Sequence, residues 1–138
     1  MAGPVVIDPA KARHIEPKFG TATRDDLPGF LGIMQILHSE PTSSMFTRLL
    51  EGTIRREDEV PLAHLFEEIS TLALHGLIVE DLLFDAFAFD GYWQKLAPRI
   101  EEIRRQSGNP KFGENFEIAA ALAVKYREHR PSKVGVGA

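Results

Sequence analysis

The side chains in this sequence best suited to chemistry are His64, Glu68 and His75, which recur at i, i+4 and i+11 with Glu67 alongside. On a helix that spacing puts them on one face, and two imidazoles with a carboxylate form a donor set suited to zinc or iron. The reach is wrong for a single ion. At 1.5 Å of rise per residue, His64 and His75 stand about 16 Å apart along the axis. Neither H-E-x-x-H nor the Glu-x-x-His of di-iron bundles occurs. The three residues are expected on a solvated helix surface, and no metal is expected.

Nucleophilic chemistry finds no better footing. The chain has no cysteine, and G-x-S-x-G, P-loop and G-x-G-x-x-G patterns are absent. The turn Gly108-Asn109-Pro110 leads through Lys111 to Gly113 and a helix start. Such a start can hold an anion, but Glu114 and Glu117 already supply negative charge there. Nucleophile, activating base and oxyanion donors cannot be assembled from these residues. The expectation is a non-enzymatic protein with no cofactor.

The densest charge set is Glu67, Glu68, Glu101, Glu102, Arg104 and Arg105. Two readings stand beside each other. Glu101 and Arg105 form a favourably oriented i,i+4 pair on a solvated face. Alternatively, Glu67 or Glu68 meets Arg104 or Arg105 as a buried structural ion pair, which fixes register more than it adds stability.

These residues must be positioned by helices. The chain has 138 residues, enough for one domain that buries its own core. Its net charge is −4, with basic and acidic residues interspersed, so it lacks the basic stripe of a nucleic-acid binder. Apolar runs fall well short of the roughly 18–20 residues that span a bilayer, and the N-terminus does not read as a secretory signal. A cytoplasmic protein without membrane contact is expected. Pro4, Pro9, Pro17, Gly3 and Gly20 mark residues 1–24 as an extended or disordered tail, in which Val5-Val6-Ile7 could dock on the body. Pro131 ends the last helix and opens a second tail, 130–138.

Between the tails, residues 25–129 read as an all-α antiparallel bundle of about five helices. Asp25 or Asp26 caps the first, with Pro28 in its first turn and Phe30, Ile33, Met34 and Leu37 at helical spacing. A short second helix carries Met45, Phe46, Leu49 and Leu50, is capped by Thr42, Ser43 or Ser44, and stops at Gly52. "TIRREDEV" is then a charged connector or a ragged helical end. The third helix has Pro61 in its first turn, Leu62, Leu65, Phe66, Ile69, Leu72 and Ala73 on its face, and Gly76 beyond its end. The last, near 113–129, carries Phe116, Ala119, Leu122, Ala123 and Tyr126.

The stretch "FDAFAFDGYW" lies in the helix between them. Ile78, Leu82, Ala86, Phe89, Trp93, Leu96, Ile100 and Ile103 share an arc of roughly 100°. The spacing predicts one long helix near 78–106, distorted at Asp90-Gly91 and kinked at Pro98. Phe84 and Phe87 fall about 120° or more from that stripe. With Leu83 they are either covered by another part of the chain, such as the second helix, or form an apolar patch for a partner.

The body of the chain resembles a bacterial family catalogued only as a domain of unknown function. The positions that carry the resemblance are Phe66-Glu67, Gly76-Leu77-Ile78, Trp93, Pro98, Arg104 or Arg105, and Phe116-Glu117, within roughly residues 28–126. It implies a small helical fold and supplies no catalytic residues. Many members carry an N-terminal membrane helix, a pattern from which this chain departs. The functional expectation is a protein–protein interaction module or assembly subunit, a homodimer or one held to another protein, with Leu83, Phe84 and Phe87 as its interface. The alternative is a small-molecule-binding or sensor bundle with a pocket lined by Phe84, Phe87, Trp93 and Phe116.

Overall fold

The computed structural model describes residues 7–130. The first six residues of the expected N-terminal tail, including Val5 and Val6, and residues 131–138 of the C-terminal tail lie outside that range. Six α-helices and no strand occur among the described residues: α1 Leu27–Leu37, α2 Thr42–Glu51, α3 Arg56–Leu74, α4 Glu80–Ala86, α5 Phe89–Ser107 and α6 Glu114–Glu128. The chain is an all-α bundle.

α6 is the helix around which the others assemble. It packs on α3, α5, α4 and the N-terminal segment, and Phe116, Ala119, Ala120, Ala121, Leu122, Ala123 and Tyr126 are all buried. The alanines make this possible, because small side chains let several neighbours approach one helix axis at once. Phe66, Phe89, Trp93 and Phe116 fill the space between α3, α5 and α6, each no more than 1 % exposed. Their rings meet mostly edge-on, as Trp93 and Phe116 do at 5.2 Å between centroids.

The long helix expected near 78–106 is two helices, and the break falls at Phe87-Ala88 rather than Asp90-Gly91. Phe87 adopts extended backbone (φ −129°, ψ 129°), and Asp90 and Gly91 lie in the first turn of α5. The stripe holds from Phe89 onward, through Trp93, Leu96 and Ile100. Upstream its phase changes: α4 buries Leu83, while Leu82 is half-buried and Ala86 exposed. The break frees α4 to rotate relative to α5, so Phe89, Tyr92 and Trp93 are buried and Phe84 and Phe87 are half-buried. Asp90 at the start of α5 pairs through both oxygens with Arg127 of α6, at 2.5 and 2.7 Å, a favourable place for a carboxylate.

α3 begins at Arg56, so Pro61 lies inside the helix and "RREDEV" forms its opening turns. Asp58 explains the early start. It accepts the Arg55 N–H at 3.1 Å and receives Arg48 of α2 in a two-pronged pair, both bonds 2.7 Å. At α2 the expected caps fail: the Ser43 and Ser44 hydroxyls donate to Glu40 instead. Its end is as expected, with Gly52 in the left-handed region (φ 77°).

The expected N-terminal tail is, from Ile7 on, laid against the body. Apart from two single 3-10 turns, Pro9–Ala12 and Arg24–Asp26, residues 7–26 have no regular structure. Ala12 is buried beside Ala121, Leu122 and Tyr126, and Ile7, Ile15 and Phe19 pack on the same cluster. This segment carries too few apolar residues for periodicity to reveal it.

Candidate functional site

Glu67, Arg104 and Glu117 converge on the start of α6. Gly113 precedes that helix with φ 72° and has no side chain to cap it, so α6 borrows its cap from α3. Glu67 Oε1 accepts the Phe116 N–H at 2.8 Å, and Asn115 donates to Thr71 Oγ1 at 2.8 Å. Burial pushes the Glu67 carboxyl above its usual range, opposed by the Phe116 and Asn115 N–H groups. From α5, Arg104 donates to the Phe112 carbonyl at 2.7 Å and to Glu117 at 3.0 Å, and its guanidinium lies 5.7 Å from the centroid of Trp93. Each charged group of the cluster has its partner inside the chain. The arrangement clasps α3, α5 and α6 together and presents no open coordination or reaction site.

The ion-pair reading is thus corrected in its partners. Arg104 does make a half-buried pair, but with Glu117, and Glu67 bonds backbone N–H groups instead of an arginine. Glu68 and Arg105 are exposed. The expected meeting of α3 and α5 charges occurs nearer the start of α3, where Arg56 bonds Glu102 at 2.8 Å and Arg99 lies 3.9 Å from Glu59. Helix spacing identified the pair of helices; the register between them is a tertiary property.

His64, Glu68 and His75 are exposed, and His64 rests edge-on against Phe112 at 5.5 Å. Among the described residues no three His, Asp or Glu side chains come close enough to hold a metal ion.

Of the residues expected to form an interface, Leu83 is fully buried and Phe84 and Phe87 are half-buried against other parts of the chain. Phe84 packs on Phe89 and Tyr126, at 5.8 and 5.2 Å between centroids, and Phe87 meets Phe30 at 6.1 Å. Cover comes from α1 and α6 rather than from the second helix, the example given by the spacing. Trp93 and Phe116, expected to line a pocket with them, are fully buried against each other.

Large aliphatic side chains stay exposed singly at Leu50 and near the end of α3 at Leu72 and Leu77, and three occur on the single helix α1. Leu27 and Leu31, about 40° apart around the axis, are 52 % and 48 % exposed beside Pro28 and Gln35, and Ile36, 47 % exposed, lies on the far flank of the helix. Ile33 and Leu37 are buried on the opposite side. No residue from Leu27 to Leu37 carries a charge. A surface helix normally turns charged residues outward, and the missing charge was the signal available in the sequence. The inward stripe of Ile33 and Leu37 by itself accounts for a helix and is silent on the outer side.

No helix among the described residues is long and apolar enough to cross a membrane. No curated protein and no solved structure matches the chain. A family model for a domain of unknown function, DUF4760, matches residues 51–122. That span runs from the end of α2 to the middle of α6 and contains Glu67, Trp93, Arg104 and Glu117, the residues of the clasp. With more than half of its length matched, the chain belongs to the DUF4760 family of domains of unknown function.

Proposed function

We propose that the protein is a non-enzymatic, cytoplasmic interaction module that self-associates through the outer face of α1. The observation that carries this reading is an uncharged surface helix on which Leu27 and Leu31 stand side by side, each about half exposed, with Ile36 exposed at its far flank. Leaving such side chains in water forgoes roughly 1 kcal/mol or more each, a cost that a covering partner recovers. The residues flanking the helix argue about the kind of partner. Arg24, Asp25 and Asp26 precede it and Glu40 follows, a net negative flank, whereas a helix that lies on anionic lipid carries an excess of Lys and Arg beside its apolar face. A second copy meets no like charge on this face, as a two-fold contact requires. Gly32, with nothing within 4 Å of a Cβ built on it, lets another helix come close.

An 11-residue helix is about 16 Å long, so the contact is smaller than a standard interface of about 1,600 Å² and the dimer is weak. Light scattering coupled to size exclusion, run across a hundredfold range of protein concentration, tests it. The expected result is a shift from monomer to dimer that Leu31→Glu abolishes without changing the circular dichroism. A monomer at every concentration overturns the proposal, as does a dimer that survives both Leu27→Glu and Leu31→Glu.

A further inference from the structure

The N-terminal segment is held in an unusual way for part of a fold. From Ile15 to Gly20 its exposure alternates: Ile15, Pro17 and Phe19 are half-buried, while Glu16, Lys18 and Gly20 are exposed. That is the period of an extended chain lying on a surface. The polar contacts run from side chains of the body to the main chain of the segment. Lys125 Nζ donates to the Ile15 carbonyl at 2.8 Å and lies 3.5 Å from that of Ala12. The Tyr126 hydroxyl accepts the Lys18 N–H at 2.8 Å and lies 3.1 Å from the Lys18 carbonyl. It donates to Glu80 at 2.6 Å, which fixes its orientation. Asp81 Oδ2 accepts the Thr21 N–H at 3.1 Å. One side-chain pair joins them, Glu16 with Lys125, and Glu16 is 81 % exposed, so this pair contributes little.

Side chains of the segment add four apolar contacts, the first being Ile7, which packs on both core clusters. Ala12 is 1 % exposed against α6, Ile15 packs on the same cluster, and Phe19 meets Tyr126 edge-on at 5.0 Å. Main-chain bonds for affinity with pockets for spaced side chains are how proteins hold extended peptides.

The segment does not fill the surface it covers. An open cleft of about 400 Å³ separates Asp8 and Arg13 from Val124, Lys125 and His129. Near Phe19, between Asp81 and Arg127, lies a cavity of about 50 Å³. Asp81 Oδ1 is buried without a hydrogen-bond partner among the described residues, an acceptor that the segment leaves unused.

We infer that the face formed by α4 and α6 is a docking groove for an extended peptide read through its main chain, and that residues 7–21 occupy it in cis. The peptide it fits has a small residue at the place of Ala12, an aliphatic one at Ile15 and an aromatic one at Phe19. The outward positions are free in sequence. The exposed Ala22, just beyond the last main-chain contact at Thr21, provides the hinge. The groove is separate from the α1 face, so this inference does not depend on self-association.

The test uses the full chain with a protease site inserted between Ala22 and Thr23, cleaved after purification. The probe is a fluorescein-labelled peptide of residues 7–22. Its anisotropy is expected to rise with the cleaved protein and not with the uncleaved one. A competitor with Lys11, Arg13, His14, Glu16 and Lys18 all changed to Ala should match the native peptide within about threefold, and Phe19→Ala should lose about tenfold or more. Lys125→Met and Tyr126→Phe in the body should each weaken binding about tenfold. If the cleaved protein takes up no peptide, or loses its helical circular dichroism on cleavage, the segment is an inseparable part of the fold and the inference fails. Unchanged affinity in both Lys125→Met and Tyr126→Phe overturns main-chain reading.

Discussion

Gly113 and Glu67 show at the residue scale how one helix start depends on distant groups. An alanine at position 113 must take φ 72°, and its Cβ would stand 3.1 Å from Ile100 Cγ2. The left-handed conformation alone costs about 1–2 kcal/mol. Gly52→Ala, at φ 77° with nothing within 4 Å, should lose about that much in urea unfolding. Gly113→Ala should lose more, since Ile100 must also move. For Glu67, burial raises the carboxyl above its ordinary range. The folded state therefore holds a proton more tightly than the unfolded state, and this group's contribution is full below the unfolded value and lost as pH rises through the folded one. Glu67→Gln removes that dependence while keeping an oxygen to accept the Phe116 N–H. Unfolding at pH 4 and pH 7 should show the variant gaining on the native protein at the higher pH. A constant difference would mean that Glu67 is not strained by burial.

At the scale of elements, the α2–α3 corner and the α4–α5 break were the features least visible in advance. The Arg48 guanidinium beside Asp58 holds its carboxyl below the usual carboxylate range. Here the sign is opposite to that of Glu67: the contribution is present above the unfolded value and lost as pH falls through the folded one. Asp58→Asn should lower the melting temperature near neutrality and leave a shallower acid limb, measured by thermal melts from pH 7 to pH 3. The break is tested with proline. Ala88 has φ −85° and follows an extended Phe87, both compatible with proline at 88. Ala88→Pro should therefore change stability by no more than about 1 kcal/mol. One continuous helix through this point would lose about 3 kcal/mol or more. Chemical denaturation separates the two outcomes.

For the whole molecule, the placement of α6 sets the order of stability. It is shared by α3, α5, α4 and the N-terminal segment, so its amides open only when the bundle does. The segment lies on one side of it, held by a handful of contacts. Native-state hydrogen exchange should find the amides of Phe116 to Ala123 exchanging at the rate of global unfolding. Those of Lys18 and Thr21, though hydrogen-bonded, should exchange orders of magnitude faster. Equal protection would make the segment part of the same cooperative unit. The single tryptophan, Trp93, is 1 % exposed and reports on the core directly, so its emission should shift only in the global transition.

Apolar spacing determined the all-α class, the positions of most helices, and the placement of Trp93, Phe89 and Phe116 in the core. These follow from the 3.6-residue period, which acts within a few turns and is written into neighbouring residues. Family membership was legible for the same reason, being carried by short local motifs around Glu67, Trp93 and Phe116. Leu83, Phe84 and Phe87, expected as an interface, are buried or half-buried by the chain itself, and that cover is not local. Phe30 and Tyr126, which shield these aromatics, come from α1 and α6, and no periodicity in α4 announces them. Glu67 was recognised as a candidate for burial, but its partner is a backbone N–H of α6, a group every helix start possesses and no sequence distinguishes. Only the tertiary structure decided what covers each face: Leu27 and Leu31 of α1 stay exposed, while residues 7–21 lie on α4 and α6, because cover comes from segments distant in sequence.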